Sequence, residues 1–95
     1  MTEEVLRLEL EKVITSLYSS GFNAVDSGIS VWLDRLSMCA EELGMKEGKH
    51  LISNLIAVIK AIETGRSKPE SGKLRLMALE FYLMKFSESG ITIDL

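Results

Sequence analysis

Apolar residues recur along this chain at three- and four-residue steps, in four stretches set off by glycine or proline. In the first, over about residues 2–20, Leu6, Leu10, Val13, Ile14, Leu17 and Tyr18 form one face of a helix. Glu3 and Glu4 fall in its first turn, where negative charge complements the helix dipole. Leu8 stands off the stripe, at a surface or contact position. The second stretch, over about 27–43, carries Ile29, Trp32, Leu33, Leu36, Cys39, Ala40 and Leu43 behind a cap at Asp26 or Ser27. Val31 and Met38 point away from that stripe as a small second patch. The third, over about 46–64, gathers Leu51, Ile52, Leu55, Ile56, Val58, Ile59 and Ile62 into an arc of about 160° at 100° per residue.

The fourth stretch, over about 70–89, breaks this pattern. Ten apolar residues between Leu74 and Phe86 cover about 280° of the helical wheel, interrupted by Arg75 and Lys85, and only Lys73, Glu80 and Ser87 define a polar side. In a bundle of this size every helix is expected to keep one wet side. Either this helix is central, or another chain covers its second face. The sequence expectation is an interface through Leu76, Leu79, Leu83 and Phe86, joined by the patch at Val31 and Met38. The competing expectation is that the four residues on the fourth helix complete the core.

The punctuation supports the same architecture. Gly21, Gly44, Gly65 and Gly90 each follow a helical stretch, where glycine adopts the left-handed conformation that ends helices. Pro69 stands where a helix begins, at a position whose N–H would be unpaired anyway. The prediction is one all-α domain over 1–95, an antiparallel bundle of four helices arranged as two helical hairpins. Ile91-Thr92-Ile93-Asp94-Leu95 alternates like a strand and is expected as a short extended tail. A faint echo at offsets of 44 to 45 residues pairs Leu6, Leu10, Val13, Ile14 and Leu17 with Leu51, Leu55, Val58, Ile59 and Ile62. Hairpin geometry accounts for it.

Composition narrows the chemistry. With 95 residues, 46% of them apolar, the chain is an ordinary globular domain. One His and one Cys exclude a Cys/His zinc site within the chain, which needs about four ligands. Cys39 sits on an apolar stripe and reads as an inert, buried thiol, and His50 as a surface side chain. Glu47 and His50 have the spacing of a bundle metal site, but once where a di-metal site needs it twice. The run from Gly44 to His50 lacks the Lys-Ser/Thr ending of a phosphate loop. No catalytic, cofactor or metal residues are expected.

The net charge of −3 divides unevenly. Residues 1–44 hold three basic against eight acidic side chains, and residues 45–95 hold eight against six. An acidic balance argues against a dedicated nucleic-acid binder. One local pattern stands against this. Ala40-Glu41-Glu42-Leu43-Gly44-Met45 resembles the turn of the helix-turn-helix DNA-binding family, with Gly four residues after Ala. That resemblance spans about twenty residues and implies a recognition helix presenting Lys46, Lys49, Ser53 and Asn54.

The longest unbroken apolar run, Leu55–Ile59, is far below the 18 or so residues of a membrane span. The acidic Met-Thr-Glu-Glu start lacks the basic character of a signal peptide, and a lone Cys suits a reducing compartment; a cytoplasmic protein is expected. The expected function is a non-enzymatic helical interaction module: an adaptor, a regulatory subunit, or a binder that neutralises or inhibits a partner. Its partner would be a second copy or another protein, met by an apolar helix face, with no small-molecule substrate. The alternative is a DNA-binding regulator using residues 40–54.

Overall fold

The computed structural model describes the backbone of residues 2–22 and 27–93, with the side chains of all these except Ser27 and residues 86–93. Four helices follow in order: α1 (Glu3–Ser20), α2 (Ser27–Glu42), α3 (Lys46–Glu63) and α4 (Pro69–Ile93). Each packs against its neighbours in the chain, and α1 also meets α4, which closes a ring α1-α2-α3-α4; among the described residues no close backbone approach crosses either diagonal. The α2–α3 and α3–α4 seams are the most extensive and the α1–α4 seam the loosest. This is the expected antiparallel bundle, and the ring supplies the neighbour order that helix periodicity alone could not.

Local chemistry sets the helix ends. Thr2 caps α1, its hydroxyl accepting a hydrogen bond from the Val5 N–H at 3.2 Å, ahead of Glu3 and Glu4. Asp26, one of the two residues expected to cap α2, lies outside the described residues. At the end of α2, Gly44 takes φ 75°, its N–H reaches the Glu41 carbonyl at 3.1 Å, and the Met45 N–H reaches Ala40 at 2.9 Å. The end of α3 repeats the pattern with Gly65 at φ 76° and bonds to Ile62 at 3.1 Å and from Arg66 to Ala61 at 2.7 Å. Both are Schellman caps, which consume the orphan carbonyls of a last turn. Pro69 opens α4 as expected.

The far end of α4 differs from the sequence expectation. Gly90 does not stop the helix, and residues 91–93, expected as extended tail, continue it; Asp94 and Leu95 lie outside the described residues. Three alternating residues have no partner strand here, whereas a continued helix pairs its own backbone groups.

The core is wholly apolar among the described residues. It takes Leu6, Leu10, Val13, Ile14 and Leu17 from α1, and Ile29, Leu33, Leu36 and Ala40 from α2. From α3 come Ile52, Leu55, Ile56, Val58 and Ile59. These are the stripes read from the sequence. Tyr18 leaves the core at the end of α1 and stands half-exposed, while Trp32, Cys39 and Leu43 are partly buried along its margin. Phe22, just beyond α1, is buried as well.

Two close approaches fix how α4 lies. A Cβ on Gly72 would stand 2.7 Å from the ring of Phe22, so only a bare Cα lets that ring in. At the opposite end of the contact, a Cβ on Gly48 in the first turn of α3 would stand 3.2 Å from the Tyr82 hydroxyl. Burial raises the Tyr82 pKa above its usual 10.0, the charges of Glu47 and Glu3 add to the rise, and a backbone hydrogen bond from Gly48 partly offsets it.

Two outcomes follow from this packing. Gly72→Ala gains up to about 1 kcal/mol of helix propensity but collides with ring carbons that are not a flexible end. A net loss of about 1–2 kcal/mol in urea unfolding is expected, and a variant as stable as the parent would contradict it. Tyr82→Phe should cost about 0.5–1.5 kcal/mol at neutral pH through the lost hydrogen bond. In the parent chain the unfolded phenol ionises near 10 while the folded one holds its proton higher, so stability falls as pH rises through that window. Unfolding curves across that range should show a shallower alkaline decline for Tyr82→Phe.

Candidate protein-interaction site

The structure divides the apolar residues of α4 into two opposed faces. Leu76, Leu79 and Leu83 are buried in the core, so three of the four α4 residues expected at an interface are packing residues instead. Phe86, the fourth, lies outside the described side chains. On the other side of α4, about 150° around at 3.6 residues per turn, stand Leu74 (69% exposed), Met77 (56%), Phe81 (53%) and Met84 (51%).

These four residues belong to the apolar arc of the sequence but not to the interface expected from it. The reason is geometric. Leu76, Leu79 and Leu83 are spaced three then four residues apart, and so are Leu74, Met77 and Phe81. Periodicity shows two stripes without saying which faces in. The packing of Gly72 against Phe22 decides it, because it turns the side bearing Leu76, Leu79 and Leu83 inward. Residue type was the available signal: the inner stripe is all leucine, while two of the four outer residues are the adaptable methionine common on binding surfaces.

Val31 and Met38 are exposed as expected, each at 63%. They lie on α2, which is diagonal to α4 in the ring and shares no backbone seam with it among the described residues. They therefore form a separate patch and do not extend the α4 face.

The surroundings of the α4 stripe are defined. Leu74, Met77, Ala78, Glu80, Phe81 and Met84 line one shallow groove. A second, along the α1–α4 seam, is lined by Glu11, Ile14, Thr15, Glu80, Leu83 and Met84, so Glu80 and Met84 border both. On the α1 side, the half-exposed Tyr18 has its pKa raised by partial burial, with the charge and hydrogen bond of Glu80 adding to the rise. On the other flank the Lys85 ammonium lies 4.8 Å from the centre of the Phe81 ring. The stripe is thus bordered by an anion on one side and a cation on the other.

No known protein family, curated protein or solved structure matches this chain.

The region that resembles a helix-turn-helix turn is a tight three-residue connection between α2 and α3. Ala40 is buried and Gly44 takes the left-handed conformation, as that turn would need. The two helices share the broadest seam in the bundle. Of the residues expected to face DNA, Lys46 and Ser53 are exposed, Asn54 is half-buried, and Lys49 is bonded to Glu41 at 2.9 Å. His50 is exposed, and Cys39 is half-buried against the core rather than sealed inside it. Among the described residues no three of His, Cys, Asp and Glu are grouped to hold a metal ion, and no helix is long and apolar enough to cross a membrane.

Proposed function

We propose that this chain is a small, non-enzymatic, cytoplasmic interaction module that self-associates through the outer face of α4. The observation that carries the reading is the stripe Leu74, Met77, Phe81 and Met84, more than half exposed on the side of α4 turned away from the core. Single exposed apolar residues are ordinary on any surface, but a contiguous row of large ones marks a contact site. Its 3-4-3 spacing is that of an a/d seam, by which two helices interlock side chains along their length. The driving force is removal of that apolar area from water, about 25 cal/mol per Å² before the costs of association.

The stripe spans fewer than two full heptads, far from the roughly 20–30 residues a side of a standard interface. Self-association is therefore concentration-dependent and reversible, as suits an adaptor or a regulatory subunit that exchanges partners.

The test separates the two faces of α4. Sedimentation over a dilution series should show the parent chain moving from monomer toward dimer mass as concentration rises. Phe81→Glu should stay monomeric with unchanged helix content and a stability within about 0.5 kcal/mol of the parent, as for a surface substitution. Leu79→Ala, on the buried face, should instead lower stability by about 2–5 kcal/mol. A parent chain that remains monomeric at high concentration would remove the self-association reading.

A further inference from the structure

Written as heptads, α4 places Leu74 and Phe81 at a, Met77 and Met84 at d, Glu80 at g and Lys85 at e. The structure agrees with this register: the a and d residues are the exposed stripe, and Glu80 and Lys85 flank it on opposite sides. We infer that α4 pairs in parallel with α4 of a second copy, and that Glu80 and Lys85 select this orientation. The inference rests on the reading of the outer face of α4 as a self-association surface and adds the occupant's direction and register.

Charge complementarity carries it. In a parallel pair each g residue faces the e residue five positions further along the other helix. Glu80 then meets Lys85 of the second copy, and by symmetry Lys85 meets Glu80, giving two opposite-charge pairs. The next g position back, Lys73, meets Ala78, so no like-charge pair arises along the described seam. Leucine stacks on leucine, phenylalanine on phenylalanine, and each methionine on its own copy.

The antiparallel alternative fits the apolar residues equally well, with Leu74 against Met84 and Met77 against Phe81. It fails on charge. The twofold axis then crosses between Met77 and Phe81, and g residues face g residues, which sets Glu80 against Glu80 beside the axis. Two carboxylates held together there are repelled, and Lys85 has Ser71 opposite it instead of an acid. Apolar area favours neither direction, so the flanking charges decide.

Both side chains already have a neighbour at the rim. Glu80 lies near Tyr18 on the α1 side, where its charge helps raise the Tyr18 pKa, and Lys85 lies across the Phe81 ring on the other. A side chain held at the rim loses less freedom when a partner's opposite charge arrives.

Charge reversal reads the orientation directly. At low salt, Glu80→Lys and Lys85→Glu should each weaken self-association by about tenfold, since each turns both pairs repulsive. A 1:1 mixture of the two variants should recover the parent's affinity as a heterodimer. There one chain carries two lysines on its rims and the other two glutamates, so both g–e pairs are again of opposite charge. If the parent dimerises and Phe81→Glu abolishes it, yet both charge variants dimerise like the parent, the parallel register is wrong and the docking face stands. If the parent chain does not dimerise, the docking reading fails with it. As a second measurement, Met84→Cys in a Cys39→Ala background should cross-link to its own copy on oxidation. Cross-linking only when Leu74→Cys is mixed in would establish the antiparallel arrangement and overturn the inference.

Discussion

A helix in a ring of four has one side for the core, and α4 carries two sides that are fit to enter it. The rest of the molecule depends on how that choice is made. Rotating α4 by about 150° would exchange Leu76, Leu79 and Leu83 for Leu74, Met77, Phe81 and Met84 at little change in apolar content. It would also carry Gly72 away from the Phe22 ring and the Tyr82 hydroxyl away from the first turn of α3. These contacts sit at residues 72 and 82, ten positions apart on α4, and together they resist rotation at two levels of the bundle. Shape at two points, rather than hydrophobicity along the helix, selects the inner face.

Helices with a single apolar stripe were legible in the sequence, and α4, with two, was not. α1 and α3 could be read residue by residue because each has one apolar stripe, and the buried residues Leu6, Leu10, Val13, Ile52, Leu55 and Ile59 fall on it. The helix stops at Gly44 and Gly65 were legible because their left-handed backbone has few other occupants. Gly90 has the same composition cue and lies within a helix instead, since a stop also needs a chain that turns away. The face of α4 was illegible for a stronger reason. Two stripes of equal spacing contain no information about rotation, and the deciding contact joins Gly72 to Phe22, fifty positions away in sequence. Periodicity is a local signal, and this constraint is not local.

Misplacing the face also misplaces the company it keeps. Val31 and Met38 look like extensions of an α4 interface because they are apolar and off their own stripe. The ring order puts α2 diagonal to α4, so the two patches lie on helices that share no seam among the described residues. The groups that border the Glu80 rim come instead from α1, across the loosest seam, where Glu11 and Tyr18 stand near Glu80. Glu41 and Lys49, by contrast, join α2 to α3 at 2.9 Å and direct one of the few cations of that hairpin toward the protein itself.

An exposed seam on the outer side of a helix is free of the constraints that govern its inner side. The buried leucines answer to packing, where a lost methylene costs about 1 kcal/mol. The outer residues answer only to what they meet, so their contact strength can change without changing the fold. A seam this short cannot make a tight complex from area alone, and two leucine-sized residues more or less would alter its strength without choosing a direction. Rim charges act differently: an exposed pair adds little affinity, but a like pair in the wrong arrangement removes it. With Glu80 on one rim and Lys85 on the other, the apolar stripe supplies the attraction and the charges supply the orientation.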